Sequence, residues 1–424
     1  MIPLNTGKSL IPLSIGDPTV FGNLLPPATA IDALGKLVTD CKSNGYAPST
    51  GITAAREAIV QRYSRNPAHP ITANDVMICS GASGALHIAM DALLGAGDNI
   101  LLPKPGFSLY ATIAGYLNVE VRYYNLLPDR NWECDLAQMA TLVNARTRAI
   151  LINNPSNPNG SNFSRSHLLE IIEFARKAKL PLLSDEIYAD MVFAGETFYP
   201  LASLSDDVPV IEIGGIAKQY VVPGWRIGWI VFHDRGGKLK DVQAGALRLT
   251  QVILGANTLC QALVPNLLLH TPASYYTTLN STLAAQALFL SDQIRLIPGL
   301  QPIKPQGAMY LMVRILTEEF PEALNDDVKF SSGLLVEEML FVLPGSCFLA
   351  NNFIRLVTCA PRAILEQAVQ RLRSFCERHH VNKGKGVEQI KPGGSPVAAV
   401  ANGAVNGTAA ATSPASIKET MEKQ

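Results

Sequence analysis

The chain has no excess of charge, since Lys plus Arg and Asp plus Glu both number 35 in its 424 residues. A balanced chain carries no broad electrostatic footprint for nucleic acid or an anionic membrane, which leaves a small molecule as the partner to look for. No apolar run reaches the length of a membrane span. The opening stretch, MIPLNTGKSLIPLSIGDP, lacks both the charged and apolar regions of a signal peptide and the Arg-rich, Ser-rich character of a mitochondrial presequence. A cytoplasmic location is therefore the expectation. The seven cysteines (Cys41, Cys79, Cys134, Cys260, Cys347, Cys359 and Cys376) include no CxxC pair, and their number is odd. This pattern excludes a disulfide framework and a zinc site of paired ligands, and fits free thiols in a reducing compartment. No metal is expected, and no tandem repeat is present.

Apolar residues make up 48% of the chain, enough for a sizeable core, and the length exceeds one average domain. Strand-like runs at 76–79, 99–103, 119–124, 148–153, 180–184, 208–213 and 227–232 alternate with helical patterns, among them 28–44, 164–178 and a helix over 53–62 capped by Thr53. Near-continuous apolar strands between amphipathic helices predict an α/β fold with a mostly parallel central sheet covered by helices on both faces. Long helical patterns fill 247–269 and 275–296. A smaller α/β domain follows, with elements at 308–315, 329–340, 341–344, 353–358 and 361–378. The expected division is an N-terminal arm (1–12), the N-terminal part of the small domain (13–45), a large domain (46–298), the C-terminal part of the small domain (299–380) and a Gly/Ala/Pro-rich tail (381–424). That tail cannot bury enough apolar surface to fold alone, and disorder is the expectation for it.

The chemistry gathers around VPVIEIGGIAKQYVVPGWRIGW, which begins at Val208. An apolar strand ends in Gly214-Gly215, and Lys218 follows just past it, at the edge where such sheets build their sites. A partly desolvated lysine there could attack a carbonyl and form a Schiff base. Arg226, a few residues on, offers a planar fork of donors to a phosphate. An aldehyde-accepting amine beside a phosphate clamp is what pyridoxal 5′-phosphate requires. Most lysines after a strand are merely solvated, so the reading depends on partners elsewhere in the chain.

Each part of that cofactor has a candidate. The turn Ser80-Gly81-Ala82-Ser83-Gly84, between a strand and a helix, could cradle the phosphate on backbone N–H groups and the Ser83 hydroxyl. Phe107 could stack on the ring, although alone it reads equally well as core. Asp185, at the end of an apolar strand, could hold the ring nitrogen charged, or could simply cap a helix. Tyr188 and Asn157 could reach the ring's phenolate oxygen, and the bland reading of NPSNPNG around Asn157 is a turn. Arg355 interrupts an apolar strand and could anchor a substrate carboxylate. A structural ion pair with an acidic residue is the alternative.

The series SGASGAL, PKPGFSLY, NNPSNPNG, SDEIYADMVF, GGIAK, VVPGWRIGW and NFIRLV resembles the fold-type I PLP-dependent aminotransferases. Within them it is similar to the eukaryotic tyrosine aminotransferases, with SIGDPTVFGNL, NGYAPSTG, YYNLLPDRNWECDL and GAMYLMV in support. The resemblance spans about 13–379 and implies the PLP-dependent transferase fold type I. It implies that Lys218 bonds the cofactor and moves a proton, that Asp185 pairs with the pyridine nitrogen, and that Asn157 and Tyr188 meet the phenolate. Phe107 would stack, and Gly81, Ala82, Ser83 and Arg226 would hold the phosphate. Tyr46 would reach that phosphate across a homodimer interface with shared active sites. Arg355 would clamp the α-carboxylate, with Gly16 and Asn157 beside it. The implied reaction is transfer of the amino group of an aromatic L-amino acid, L-tyrosine foremost, to 2-oxoglutarate. A broad-specificity aminotransferase and a C–S lyase remain open on the same scaffold, as does an amino-acid-binding protein without catalysis. No arginine occurs between Leu249 and Ile294, where a clamp for a second carboxylate might be sought.

Overall fold

The computed structural model describes residues 7–381. The first six residues of the expected arm and the tail from 382 onward lie outside the described residues. Strands Val76–Ser80, Ile227–His233, Val210–Gly215, Leu182–Asp185, Thr147–Asn153, Asn99–Lys104, Glu120–Leu127 and Glu133–Cys134 form one sheet in that spatial order. The five strands from Val210–Gly215 to Glu120–Leu127 are mutually parallel. Ile227–His233 runs antiparallel to both its neighbours, and Glu133–Cys134 closes the other side antiparallel.

Strand alternation explains the near-continuous apolar runs. Leu151, Leu183, Ile211 and Ile213 join the core that also holds Ala85, Leu86 and Ala89 of the helix Gly81–Leu93. Ile150, Ile152, Leu182 and Val210 enter a separate core with Leu168, Ile171 and Ala175 of the helix Arg165–Ala178. Both faces are thus covered, and the sheet has no wet side to be marked by polar residues. The helix Ala28–Asp40, with Thr53–Tyr63 and Thr258–His270, packs a further core against Trp229 at the end of the sheet.

Residues 300–357 form an antiparallel sheet in the order Leu300–Pro302, Tyr310–Ile315, Phe353–Val357, Leu343–Pro344. Helices Asp327–Glu338 and Arg362–His379 cover it through Phe330, Leu334, Leu365, Leu372 and Phe375. The N-terminal strand Ile11–Pro12 pairs in parallel with Leu340–Phe341, and the Leu13 carbonyl accepts the Val357 N–H at 2.9 Å. The chain's beginning is thereby tied to the strand that carries Arg355.

Several boundaries differ from the sequence expectation. The single pattern over 247–269 is two helices, Lys240–Ile253 and Thr258–His270. Leu254 and Gly255 both adopt positive φ, and the Asn257 side chain accepts the Cys260 N–H to start the second helix. Continuous apolar spacing conceals such a break. Thr53 is the first helical residue and not a cap, a position held by Ile52 without a side-chain bond. The first helix stops at Asp40, where Cys41 turns left-handed. The 341–344 run is two short strands, Leu340–Phe341 and Leu343–Pro344.

Gly228 shows how tightly the sheet holds the helix start above it. A Cβ there would strike the Ala82 nitrogen and the Gly81 carbonyl carbon, both backbone atoms that cannot rotate away. Gly228→Ala should therefore destabilise the protein by roughly 1–3 kcal/mol. A urea titration that left the unfolding midpoint unchanged would show that the helix start gives way freely.

Candidate active site

A cavity of about 360 Å³ opens at the carboxyl ends of the parallel strands. Asp185 ends its own strand, the Asn157 loop follows Thr147–Asn153, Phe107 follows Asn99–Lys104, and Lys218 lies just past Val210–Gly215. A parallel sheet places all of these loops on one edge, which brings together residues far apart in the chain. Gly16, Ala82, Ser83, Tyr188, Arg226 and Arg355 complete the set of sequence candidates that line it. Gly81 and Tyr46 do not. Tyr46 is 94% exposed, in a surface hollow beside Ile253 and Leu254.

Asp185 is 2% exposed. Its Oδ2 accepts the Tyr110 hydroxyl at 2.7 Å and its Oδ1 the Ile187 N–H at 3.2 Å. Burial pushes the carboxyl up to about 6, against the opposing pull of the Tyr110 hydroxyl, the Ile187 N–H and the Lys218 charge. Tyr110 is itself pushed well above the usual phenol range, by burial first and the Asp185 charge second. Across the cavity the Lys218 amine donates to the Gly16 carbonyl at 2.6 Å.

At the helix start, Gly81 adopts a φ of +72° and a Cβ on it would run into the Arg226 guanidinium. The guanidinium also donates to the Pro223 carbonyl at 3.0 Å. The expected cradle is therefore the first turn of the helix Gly81–Leu93, not a separate loop before it, with Arg226 pressed against the bare glycine. The first N–H groups of a helix have no partners within it and attract an anion.

Arg355 is 4% exposed, and its Nη1 donates to Asn157 Oδ1 at 2.9 Å and its Nη2 to the Ser14 carbonyl at 2.6 Å. Among the described residues no carboxylate pairs with it, and its Nε has no partner. The structural ion pair that was the bland alternative is absent from these residues. The guanidinium lies instead between the rings of Tyr310 and Phe348, at 4.5 and 4.7 Å from their centroids. Tyr188 is buried with its hydroxyl 2.6 Å from that of Tyr310. Burial first and the neighbouring Tyr310 second push the Tyr188 phenol well above its usual range. Phe107 meets Tyr110 edge-on, with centroids 5.7 Å apart.

The sequence model of the aminotransferase class I and II family matches residues 8–372. The chain belongs to that family. It is 44% identical to tyrosine aminotransferase of Homo sapiens over 89% of this chain and 83% of that one. The crystal structure of tyrosine aminotransferase from Leishmania infantum superposes with a TM-score of 0.86 at 38% identity, covering 88% of this chain and 93% of the other. A cystine lyase of Arabidopsis thaliana is 36% identical over 86% of this chain and 87% of its own length.

As an aminotransferase of this family the chain uses pyridoxal 5′-phosphate. The residues present fit that group. A helix start with a bare glycine under an arginine suits a phosphate, and the buried carboxyl of Asp185 suits a ring nitrogen. Three neighbours escaped the sequence reading. Tyr110 lies in PKPGFSLY and Tyr310 in GAMYLMV, both buried aromatics indistinguishable from core until their hydroxyls find partners. Ser14 contributes only a carbonyl, which no sequence pattern marks.

Because the folded protein holds the Asp185 carboxyl at about 6, above its ordinary value, it binds that proton more tightly than the unfolded chain does. Ionising it costs stability as pH rises from about 4 through 6. Asp185→Asn should therefore melt at a higher temperature than the wild type in the cofactor-free state at pH 7.5, by roughly 1–3 kcal/mol. The difference should shrink towards pH 4. Equal melting temperatures across that range would mean that Asp185 is not held against its charge.

Proposed function

We propose that the chain transfers the amino group of an aromatic L-amino acid, L-tyrosine foremost, to 2-oxoglutarate, giving 4-hydroxyphenylpyruvate and L-glutamate. The observation that carries the reading is Arg355, a buried guanidinium without a carboxylate partner among the described residues, in one cavity with Lys218 and Asp185. A buried cation so placed is costly unless a carboxylate arrives to meet it, and every amino acid and 2-oxo acid brings one. The cations lining the cavity are Lys218, Arg226 and Arg355. Ile187, Leu343 and Phe348, with the rings of Phe107 and Tyr310, offer the rest of the substrate an apolar, aromatic surface. The names of the human and Leishmania relatives agree with an aromatic donor.

Bound in the cavity, pyridoxal 5′-phosphate supplies an aldehyde that takes up the amino group and a ring that draws electrons from Cα. Gly81, Ala82, Ser83 and Arg226 would hold its phosphate, and Phe107 would lie against its ring. Asp185 would keep the ring nitrogen protonated, since a buried carboxylate beside a cation stays ionised. Tyr188 would donate to the phenolate oxygen. Asn157 gives its Oδ1 to Arg355, which leaves its amide nitrogen as the donor to that same oxygen. Lys218 would form the covalent link and then, as a free amine, carry a proton between the substrate's Cα and the cofactor's C4′. Arg355 would fix the α-carboxylate, and the Gly16 carbonyl, which holds the amine at 2.6 Å, would steady Lys218.

We place two such chains in a homodimer with shared sites; in each, Leu13 and Leu24 pack into the core of the 299–380 segment, whereas the helix Ala28–Asp40, expected in the same small domain, packs with the helices of the large sheet. Tyr46, Val252, Ile253 and Leu254 are 94%, 81%, 58% and 56% exposed, an apolar surface that a second copy would cover. The seven free cysteines favour a reducing compartment, the cytoplasm in this reading.

A panel of amino donors with 2-oxoglutarate tests the activity directly. L-Tyrosine should yield one glutamate for each 4-hydroxyphenylpyruvate, with ping-pong kinetics. The 36% identity to a cystine lyase favours one second reading, and release of pyruvate from cystine without glutamate would establish it. Arg355→Ala should weaken every amino and oxo acid alike, by about 10- to 150-fold. A loss confined to one substrate would make Arg355 a reader of side chains. Mixing Lys218→Ala with a disruptive Tyr46 variant under subunit exchange should restore activity, because half of the mixed dimer's sites carry neither defect. No recovery despite proven exchange would remove Tyr46 from the partner's site.

A further inference from the structure

Tyr310 meets three groups of the cavity that the proposed reaction uses. Its hydroxyl lies 2.6 Å from that of Tyr188, and its ring carries the Arg355 guanidinium 4.5 Å from the centroid. It also abuts the Gly16 turn so closely that a Cβ on Gly16 would come within 2.6 Å of the hydroxyl. That turn supplies the carbonyl that holds the Lys218 amine. The side chain is 1% exposed and lines the cavity, so its hydroxyl was not placed there to be solvated. Tyr310↔Val357 pairing in the small sheet, two residues from Arg355 on the neighbouring strand, fixes the ring beneath the guanidinium.

We propose that Tyr310 is a positioning residue with two separable roles: its hydroxyl donates to Tyr188 and sharpens the donor that Tyr188 offers to the cofactor, and its ring holds Arg355 flat for the substrate carboxylate. The inference rests on the reading of Arg355 and Tyr188 given above. A hydroxyl that accepts a hydrogen bond becomes a stronger donor through its own proton, and chains of such bonds reinforce one another where the surroundings are apolar. Two phenols this close cannot both point their protons at each other. Donation from Tyr310 frees the Tyr188 proton for the cavity. The ring has a different task. Among the described residues Arg355 has no carboxylate to orient it and its Nε has no partner, and two aromatic faces, Tyr310 and Phe348, confine the guanidinium to one plane. A planar guanidinium presents its edge to an incoming carboxylate.

The two roles can be told apart with the holoenzyme and a non-reacting probe. The probe is 3-phenylpropionate, an aromatic acid without an amino group, and its binding is followed through the cofactor's visible absorbance. The second readout is the pH midpoint of that absorbance without the probe. A donor to an oxyanion lowers the proton affinity of the group sharing its proton, so a weaker Tyr188 donor raises the midpoint. Tyr310→Phe keeps the ring, and it should raise the midpoint by about half a unit or more while the probe binds within about twofold of wild type. Tyr310→Leu loses the ring as well, and it should also weaken the probe by roughly 3- to 30-fold. Melting of both cofactor-free variants shows whether the fold is kept. Tyr310→Phe conserves volume, so its midpoint decides the hydroxyl's role even where Tyr310→Leu fails to fold.

An unchanged midpoint in Tyr310→Phe overturns the proposal. So does wild-type probe affinity in a folded Tyr310→Leu when Arg355→Met has lost the probe, a result that leaves the Arg355 reading standing. Undiminished probe binding in Arg355→Met would sink the Arg355 reading and this inference with it.

Discussion

A buried positive charge without a counter-ion among the described residues is the constraint around which this structure is arranged. Placing a guanidinium in a protein interior costs several kcal/mol unless its donors are satisfied and some negative charge arrives to face it. Around Arg355 the protein meets the first need for Nη1 and Nη2, and stacks the guanidinium, with three distant segments. The carbonyl of Ser14 comes from the N-terminal stretch, Asn157 Oδ1 from the loop after a parallel strand, and the rings of Tyr310 and Phe348 from the second sheet and the turn between two of its strands. The cation therefore needs the N-terminal stretch and both sheets to be in place before it is held at all. In the proposed reading the second part falls to the substrate, so that the same residue is both a structural cost and a binding anchor.

The sheet solves a related problem for the acids. Along Leu182–Asp185 and just beyond it, side chains alternate, so Asp185 faces the cavity while Ser184 bonds Glu186 with its hydroxyl at 2.9 Å. Glu212, opposite Ser184 in the ladder, accepts from or donates to His233 at 2.9 Å. Burial first and the Glu212 charge second push the Glu186 carboxyl well above its usual range. Two adjacent acids in one segment are thus both pushed up by burial, but among different neighbours. Asp185 has a tyrosine hydroxyl, a backbone N–H and a facing lysine to temper its burial, and Glu186 has a second carboxylate to aggravate it.

The parallel sheet and the gathering of most candidate residues at one edge were legible in the residues because their causes are local. Apolar runs that end in glycine or a polar residue mark strand ends, and in a parallel sheet those ends meet on one edge whatever the intervening loops do. Lys218, Asp185, Asn157 and Phe107 could be placed together on that ground alone. Helix ends were less legible. The break at Leu254-Gly255 interrupts a pattern whose apolar spacing continues across it, and only the left-handed backbone and the Asn257 cap reveal two helices.

By itself the sequence determined the order of elements, the edge of the sheet that carries the chemistry and the residue types able to hold a phosphate, a ring nitrogen and a carboxylate. Each of these follows from periodicity or from chemistry borne by a single residue. Only the tertiary structure decided the partners. That Arg355 faces rings and a backbone carbonyl in place of an acid, that Tyr110 serves Asp185, and that Tyr310 meets Tyr188 are contacts between segments up to 341 positions apart. A buried tyrosine reads as core from its sequence. Its hydroxyl acquires a task only when packing brings another polar group within reach, and packing is a property of the whole chain.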